Sequence, residues 1–295
     1  MLALVIKKLV IFGVGLIGGS LALALRDAGY CERIVGCSRS AEHLQKAVDL
    51  GVIDSFTLDP LEAVKDADMI FLAVPIGAMR TVLEQIMPAL EPGAVLTDGG
   101  SAKTAIVEAA KDVLSDDVLA RFVPGHPIAG RERSGVEAAL GDLYKGKRVI
   151  LTPLDSTSSD AVTRVDAMWQ ATGAVLESMP MALHDEVLAA TSHLPHVLAF
   201  SLVDTLLSMP QREDILRYAA GGFKDFTRIA SSDPVMWRDI CLHNGAAILD
   251  VIEAMQANLG EFAELIRQQN GDDLLQRMES SKQARDRYVA QLDAG

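Results

Sequence analysis

The run LVIFG at 9–13 passes without a break into GVGLIGGS at 13–20 and then into an apolar, helix-compatible stretch. No other junction in the chain constrains the fold as much. A near-continuous apolar run reads as a buried strand. The glycines Gly13, Gly15 and Gly18 stand at G-x-G-x-x-G spacing between that strand and a helix start. A second apolar run, RIVGC at 33–37, arrives about 20 residues further on, which is the context such a loop needs to hold a dinucleotide. Gly13 would permit the tight turn, Gly15 the close approach of a pyrophosphate, and Gly18 the packing of helix on strand. The amides at the helix start, at Leu16 and Ile17, would bind the anion.

The same alternation continues. MIFLAVP (69–75) and AVLTDGG (94–100) read as further buried parallel strands. AEHLQKAVDLG and AMRTVLEQIMPALEPG between the strands read as amphipathic helices closed by Gly51 and Gly93. Strand and helix repeated in this order give an α/β, doubly wound, Rossmann-like sheet. RVILTP (148–153) and AVLESMP (174–180) read as later strands of the same sheet. Beyond Pro180 the texture becomes helical, over 181–208, around 235–268, and in the charged tail DDLLQRMESSKQARDRYVAQL. Two domains are therefore expected: 1–180 for the dinucleotide and 181–295 as an all-helical substrate and dimerisation domain. A tail helix with an apolar stripe needs a partner surface, which suggests a homodimer.

Composition narrows the partners. With 49% apolar residues in 295, the chain can bury real cores. A formal charge of -13 argues against nucleic acid or an anionic membrane as the main partner. An anionic substrate would then need a local cluster of cations. Cys31, Cys37 and Cys241 show no metal spacing, and an odd number of cysteines suggests no disulfide framework, so a reducing cytoplasm fits. The apolar N-terminus is interrupted by Lys7, Lys8 and glycines, and reads as strand, turn and helix rather than as a membrane segment.

Two strand ends fall at the carboxyl edge of the sheet, where open α/β sheets bind ligands. These are AVP (73–75), which brings Val74 and Pro75, and DGGSAK (98–103), which brings Ser101. Ser101 also suits the N-cap of the helix that follows. At the end of the second strand, GCSRS (36–40) places Ser38 and Arg39 where NAD-selective domains carry an acid. Without that acid, and with a guanidinium available for a 2′-phosphate, NADP is expected in preference to NAD. Ser40 suits the N-cap of the next helix.

The stretch VPGHPIAGRERSG (123–135) sets His126 between a glycine and a proline, which reads as a loop. On its own such a histidine is more often structural than catalytic. In HDEVLAATSHLPHVLAF, Asp185, Ala189, His193 and His196 recur at helical spacing, and Pro195 should bend that helix. His43, His184 and His243 have no motif around them and read as ordinary.

Taken together, GLIGGS, GSAK, GHPIAG, SHLPH (192–196) and GFKDFTRIASSDPVMW (222–237) resemble, in this order, the prephenate/arogenate (cyclohexadienyl) dehydrogenase family of tyrosine biosynthesis. The resemblance spans nearly the whole chain. It implies a Rossmann-like domain and a helical dimerisation domain with the active site between them. The implied activity is oxidative decarboxylation of prephenate or arogenate to 4-hydroxyphenylpyruvate or tyrosine, with hydride passed to NAD or NADP and no metal. It further implies that His126 accepts the proton of the substrate hydroxyl, with Ser101 sharing that hydroxyl or bonding the histidine. His196 would contact the substrate side chain with His193 close by, and Arg228 would bind the side-chain carboxylate. Glu132 and Asp225 match acidic positions that orient arginines or gate the pocket. Two other classes remain open on the residues alone. One is another small-substrate dehydrogenase on this architecture, of β-hydroxyacid dehydrogenase or imine reductase type. The other is a non-catalytic protein that senses the nucleotide.

Overall fold

The computed structural model describes residues 5–131, 133–210, 214 and 217–293. The first strand β1 (Ile6–Phe12) runs into α1 (Leu16–Asp27), and β2 (Cys31–Cys37) into α2 (Ala41–Asp49). Then come β3 (Ser55–Thr57), α3 (Pro60–Val64), β4 (Met69–Leu72), α4 (Met79–Ile86), β5 (Val95–Asp98), α5 (Lys103–Val113), α6 (Asp116–Leu119) and β6 (Phe122–Val123). These six strands form one parallel sheet in the order β3-β2-β1-β4-β5-β6. Every residue of β4 and of β5 is buried, as expected for strands covered by helices on both faces. The strand order reverses at β1, between β2 and β4, so the crevice at their carboxyl ends is the place for a ligand.

Two expectations need correcting here. The strands at 148–153 and 174–180 are not later members of the main sheet. They are β8 (Arg148–Leu151) and β9 (Val175–Ser178), which form a separate three-stranded sheet with β7 (Gly125–Pro127). β7 runs antiparallel to β8, and β8 parallel to β9. Pro124 has no N–H to continue a ladder, so the chain leaves the main sheet after β6. The second correction is that His126 does not sit in a loop. It is the middle residue of β7, opposite Ile150, because pairing with β8 overrides the local turn signal of its glycine and proline neighbours.

Between β8 and β9 runs α7 (Ser159–Ala171), whose Trp169 is fully buried. Trp169 meets Phe71 and Tyr144 edge to face, with ring centroids 5.7 and 5.0 Å apart. The Tyr144 hydroxyl donates to the Ile17 carbonyl at 2.6 Å, tying this aromatic cluster to the start of α1.

After β9 no described residue lies in a strand. The helix α8 (Met181–Leu188) passes through a π-turn at Ala189–His193 into α9 (Leu194–Leu207). The bend expected at Pro195 is thus realised as one wide turn just before the proline, where a helix lacking an i→i−4 donor can widen. Met181–Leu207 is long and apolar enough to span a membrane by length and composition, yet it carries three histidines and Asp185. Next come α10 (Gly221–Thr227), a 3₁₀ turn at Arg228–Ser231, and α11 (Pro234–His243). The helix expected around 235–268 is interrupted at Asn244, so α12 (Gly245–Arg267) starts afresh and α13 (Gly271–Asp293) follows. The chain divides into two compact units, Met1–Ala247 and Ile248–Gly295. In the second unit, Arg277 pairs with Glu261 and lies over the Phe262 ring, 5.2 Å from its centroid.

Candidate active site

The glycine loop is built as its sequence requires. Gly13 has φ of +89°, and a side chain there would meet the Ala73 carbonyl oxygen at 2.3 Å. That oxygen belongs to the end of β4, so the loop crosses bare backbone to reach α1. Gly15 opens onto empty space, with nothing within 4 Å of a side chain built there, so its backbone is accessible to a ligand. Gly18 lies against the Gly13 carbonyl, 2.3 Å from a built side chain, and is the contact of helix on loop. No side chain caps the start of α1, and its first turn carries no acid. Its amides therefore remain free for an anion.

A cavity of about 270 Å³ lies in this crevice, lined by Gly15, Leu16, Ile17, Val74, Pro75 and Ser101 among others. Arg131 and Arg133 also border it, as do Met236 and Asp239 of α11. A free helix start, an open glycine and two nearby guanidiniums suit a dinucleotide pyrophosphate, so the residues present fit that cofactor. Ser38 and Arg39 stand just beyond the end of β2, Ser38 half-buried and Arg39 exposed, and neither lines the cavity. Ser40 caps α2, accepting from the His43 amide at 3.2 Å. The His43 ring in turn donates to the Val14 carbonyl at 2.8 Å and so steadies the loop.

Ser101 does not cap α5. The cap residue is Ala102, and the capping carboxylate comes from Asp185 on α8, far along the chain. Asp185 Oδ1 accepts from the Lys103 amide and Oδ2 from the Thr104 amide, each at 2.8 Å. A carboxylate at a helix start outcompetes a serine hydroxyl because it meets two free amides and the positive end of the helix dipole.

The same carboxylate organises the histidines. His184 Nδ1 lies 2.8 Å from Asp185 Oδ1, and His184 Nε2 lies 2.9 Å from His126 Nδ1. Asp185 can only accept, so His184 carries its proton on Nδ1 and presents a lone pair at Nε2. His126 must then donate from Nδ1, which leaves Nε2 as its lone-pair nitrogen. The chain of bonds thus sets His126 in the tautomer a proton acceptor needs. Burial, and then the neighbouring His184, Lys103 and His193, hold His126 well below the ordinary histidine pKa, against an opposing pull from Asp185. Burial pushes the Asp185 carboxyl up. The hydrogen bonds from His184, Thr104 and the Lys103 and Thr104 amides outweigh it, and its pKa falls to about 2. His184 read as ordinary in the sequence, and its role was missed there. The one local signal was its position beside Asp185 in MALHDEVL.

From the break between α11 and α12, the Asn244 amide donates to the Asp185 carbonyl at 2.9 Å and contacts His193 Nδ1 at 3.1 Å. That break frees Asn244 for this. It leaves His193 with its proton on Nε2. His193 Nε2 and the Trp237 indole nitrogen are two of the buried side-chain polar atoms without a partner among the described residues, with the Trp169 indole nitrogen and the Thr97 and Thr152 hydroxyls. Burial lowers the His193 pKa to about 4. His196 is half-buried, donates from Nδ1 to the Ser192 carbonyl at 2.8 Å, and stacks on Trp237 with centroids 3.7 Å apart.

Arg228 opens the 3₁₀ turn that packs on α9, the helix of His196, and Asp225 is exposed on α10. Glu132 lies outside the described residues. His126, His193 and His196 are thus gathered around α8, α9 and α11. The His126 Nδ1 bond goes to His184 and not to Ser101, which stands at the cavity wall.

A dinucleotide cradle and a buried imidazole poised to accept a proton, within one compact unit, define a nicotinamide-dependent dehydrogenase. Residues 21–178 match the family model for the prephenate dehydrogenase nucleotide-binding domain, and residues 180–280 that for its dimerization domain. The chain belongs to the prephenate dehydrogenase family. It is 37% identical to the cyclohexadienyl dehydrogenase of Zymomonas mobilis, over 95% of this chain and 96% of that one. It is 40% identical to A. aeolicus prephenate dehydrogenase, solved with hydroxyphenyl propionate and NAD+, covering 96% and 98% of the two chains at a TM-score of 0.89. Synechocystis arogenate dehydrogenase aligns at 29% identity over 96% of this chain and all of its own, with a TM-score of 0.79.

Proposed function

We propose that the protein oxidises and decarboxylates prephenate, arogenate or both, yielding 4-hydroxyphenylpyruvate or tyrosine, with NADP preferred over NAD. The observation that carries this reading is the Asp185–His184–His126 chain, which presents an acceptor nitrogen at His126 Nε2. A nicotinamide bound in the cradle supplies the hydride acceptor. The substrate ring carbon bearing the hydroxyl loses its hydrogen as hydride, while His126 Nε2 draws on the hydroxyl proton. The bond to the ring carboxylate then breaks, CO2 leaves, and the electron pair completes the aromatic ring as the proton settles on the phenol oxygen. Aromatisation supplies much of the driving force, so the protein's tasks are orientation and proton handling.

Ser101 is assigned to the substrate hydroxyl from its place on the cavity wall, and His126 to the base. Arg228 is assigned to the side-chain carboxylate, with Asp225 and Glu132 orienting the cations around it. His193 and His196 are assigned to the rest of the side chain, which the unpartnered donor at His193 Nε2 supports. Gly13, Gly15, Leu16, Ile17, Gly18, Val74 and Pro75 are assigned to the dinucleotide. The NADP preference rests on Ser38 and Arg39 at the end of β2, with no acid in CSRS.

The working boundary is placed near residue 180, giving 1–180 and 181–295, in line with the change of family model between 178 and 180. A cytoplasmic homodimer through the helical part would cover exposed apolar residues such as Leu207, Phe226 and Leu242. One assay tests the core of this reading: reduced-nicotinamide absorbance in a matrix of prephenate or arogenate with NAD or NADP. Turnover with at least one substrate, and a higher kcat/KM for NADP, is expected. Equal values for NAD and NADP would remove the cofactor preference. Silence in every cell would leave a protein that binds nucleotide and catalyses nothing.

A further inference from the structure

Beneath His126 lies a charged pair that the chemistry above does not use. Lys103 and Asp98 are both fully buried, and the Lys103 ammonium is bonded to Asp98 Oδ2. Removing two charges from water is costly, and an apolar pair of similar volume would serve stability as well or better. The bonds around the pair show what it holds. Lys103 Nζ donates to the Gly125 carbonyl at 2.7 Å, and Asp98 Oδ1 accepts from the Gly125 amide at 3.2 Å. Both polar groups of the residue before His126 are thus gripped by side chains rather than by a partner strand of the main sheet. Asp98 Oδ2 also accepts from the Gly100 amide at 2.8 Å, which fixes the turn that leads to Ser101. The Lys103 backbone amide donates to Asp185 Oδ1, the carboxylate that orients His184.

We propose that the Asp98–Lys103 ion pair is the positioning device of the active site: it locks β7 under His126 and places a cation beside that imidazole. The proposal rests on His126 being the proton acceptor. The charged and titratable groups around the ring are His184 and Asp185 from α8, His193 from the π-turn, Lys103 from α5 and, behind Lys103, Asp98 from β5. Of these, Lys103 acts on His126 after burial and His184, opposed by Asp185. Burial lowers the Lys103 pKa, opposed by Asp98 and Asp185.

The test is the acid limb of kcat/KM for the better substrate, with NAD(P) affinity measured alongside. In the wild type the limb should lie below the ordinary histidine value of about 6.5. In Lys103→Gln it should move up by about one pH unit, the usual effect of one nearby charge. kcat should fall at least about tenfold, with the nucleotide Kd little changed. If Lys103→Gln does not fold, Asp98→Asn/Lys103→Gln removes both charges together with their grip on Gly125 and must still lower kcat at least about tenfold, with the nucleotide Kd little changed. A folded, nucleotide-binding Lys103→Gln with an unmoved limb overturns the proposal, as does a folded double variant with undiminished kcat or a wild-type limb at or above the ordinary value. His126→Asn separates the two readings. A limb that persists in His126→Asn shows that His126 is not the base. A limb that vanishes there but stays in place in Lys103→Gln defeats this proposal alone.

Discussion

The role proposed for His126 rests on what its two nitrogens meet, one facing His184 and the other left with a lone pair. Replacing it by asparagine keeps a polar side chain of similar reach at a strand position, so folding and nucleotide binding should survive. kcat should drop on the order of 10²–10⁴-fold, the range for a single general base. A variant keeping more than about a tenth of wild-type turnover, well outside that range, would remove the assignment. Arg228 calls for a different measurement, because the task proposed for it is binding. Arg228→Ala should raise KM for the dianionic substrate far more than KM for the nucleotide, at roughly 1.5–3 kcal/mol per charge-assisted hydrogen bond lost. If both KM values rose together, Arg228 would be serving the packing of its turn on α9. At this scale the sequence offered His126 and Arg228 as candidates, because both sit in short local motifs. It was silent on His184 and Lys103, whose meaning lies in partners 58 and 22 residues away.

At the scale of elements, α8 is the piece that binds the histidine chain to the dinucleotide fold. Its Asp185 caps α5 and orients His184 with the same two oxygens. Asp185→Asn can offer only one acceptor oxygen to three donors, and its amide N–H₂ would face at least one of them. The lost cap should cost about 1 kcal/mol of stability, within the range for N-cap replacements. The lost tautomer control should lower kcat by on the order of 10²-fold or more. Thermal unfolding and kcat measured on the same preparation check both. A variant that is less stable but fully active would show that Asp185 is a cap and nothing more. The π-turn and the break at Asn244 belong to this scale too. Periodicity foresaw a bent helix and one long later helix. It did not show the interruption, at which Asn244 bonds the Asp185 carbonyl and contacts His193.

For the whole molecule, the buried histidines make acid a destabiliser. In the unfolded chain they titrate near 6.5, whereas in the fold His193 is lowered to about 4 and His126 is held well below its ordinary value. Between those values the unfolded state binds protons that the native state refuses, so stability falls as pH drops below about 6.5. Asp185, lowered to about 2 from the usual 3.8, adds a loss of the same sign at more acid pH. Relief of the -13 net charge on acidification works the other way, but it is spread over a screened surface, while each buried pKa unit is worth about 1.4 kcal/mol. The melting temperature should therefore stay level from pH 8 to 7 and decline from 7 to 5, as a thermal scan across buffers would show. A rise over that interval would mean that the histidines charge freely in the fold.

The sequence alone determined the parts of this protein that are local in origin. The strand–glycine–helix junction, the buried strands β1, β2, β4 and β5 and the helical second half all follow from spacing and periodicity within a few turns of chain. Tertiary structure decided the rest. It moved the strands after Pro124 into a sheet of their own, drew His126 out of a loop into β7, and gave the cap of α5 to Asp185 in place of Ser101. Each of these depends on groups that meet only when distant segments pack. Backbone donors and buried charges take the best partner the fold provides, and proximity in sequence does not decide which partner that is.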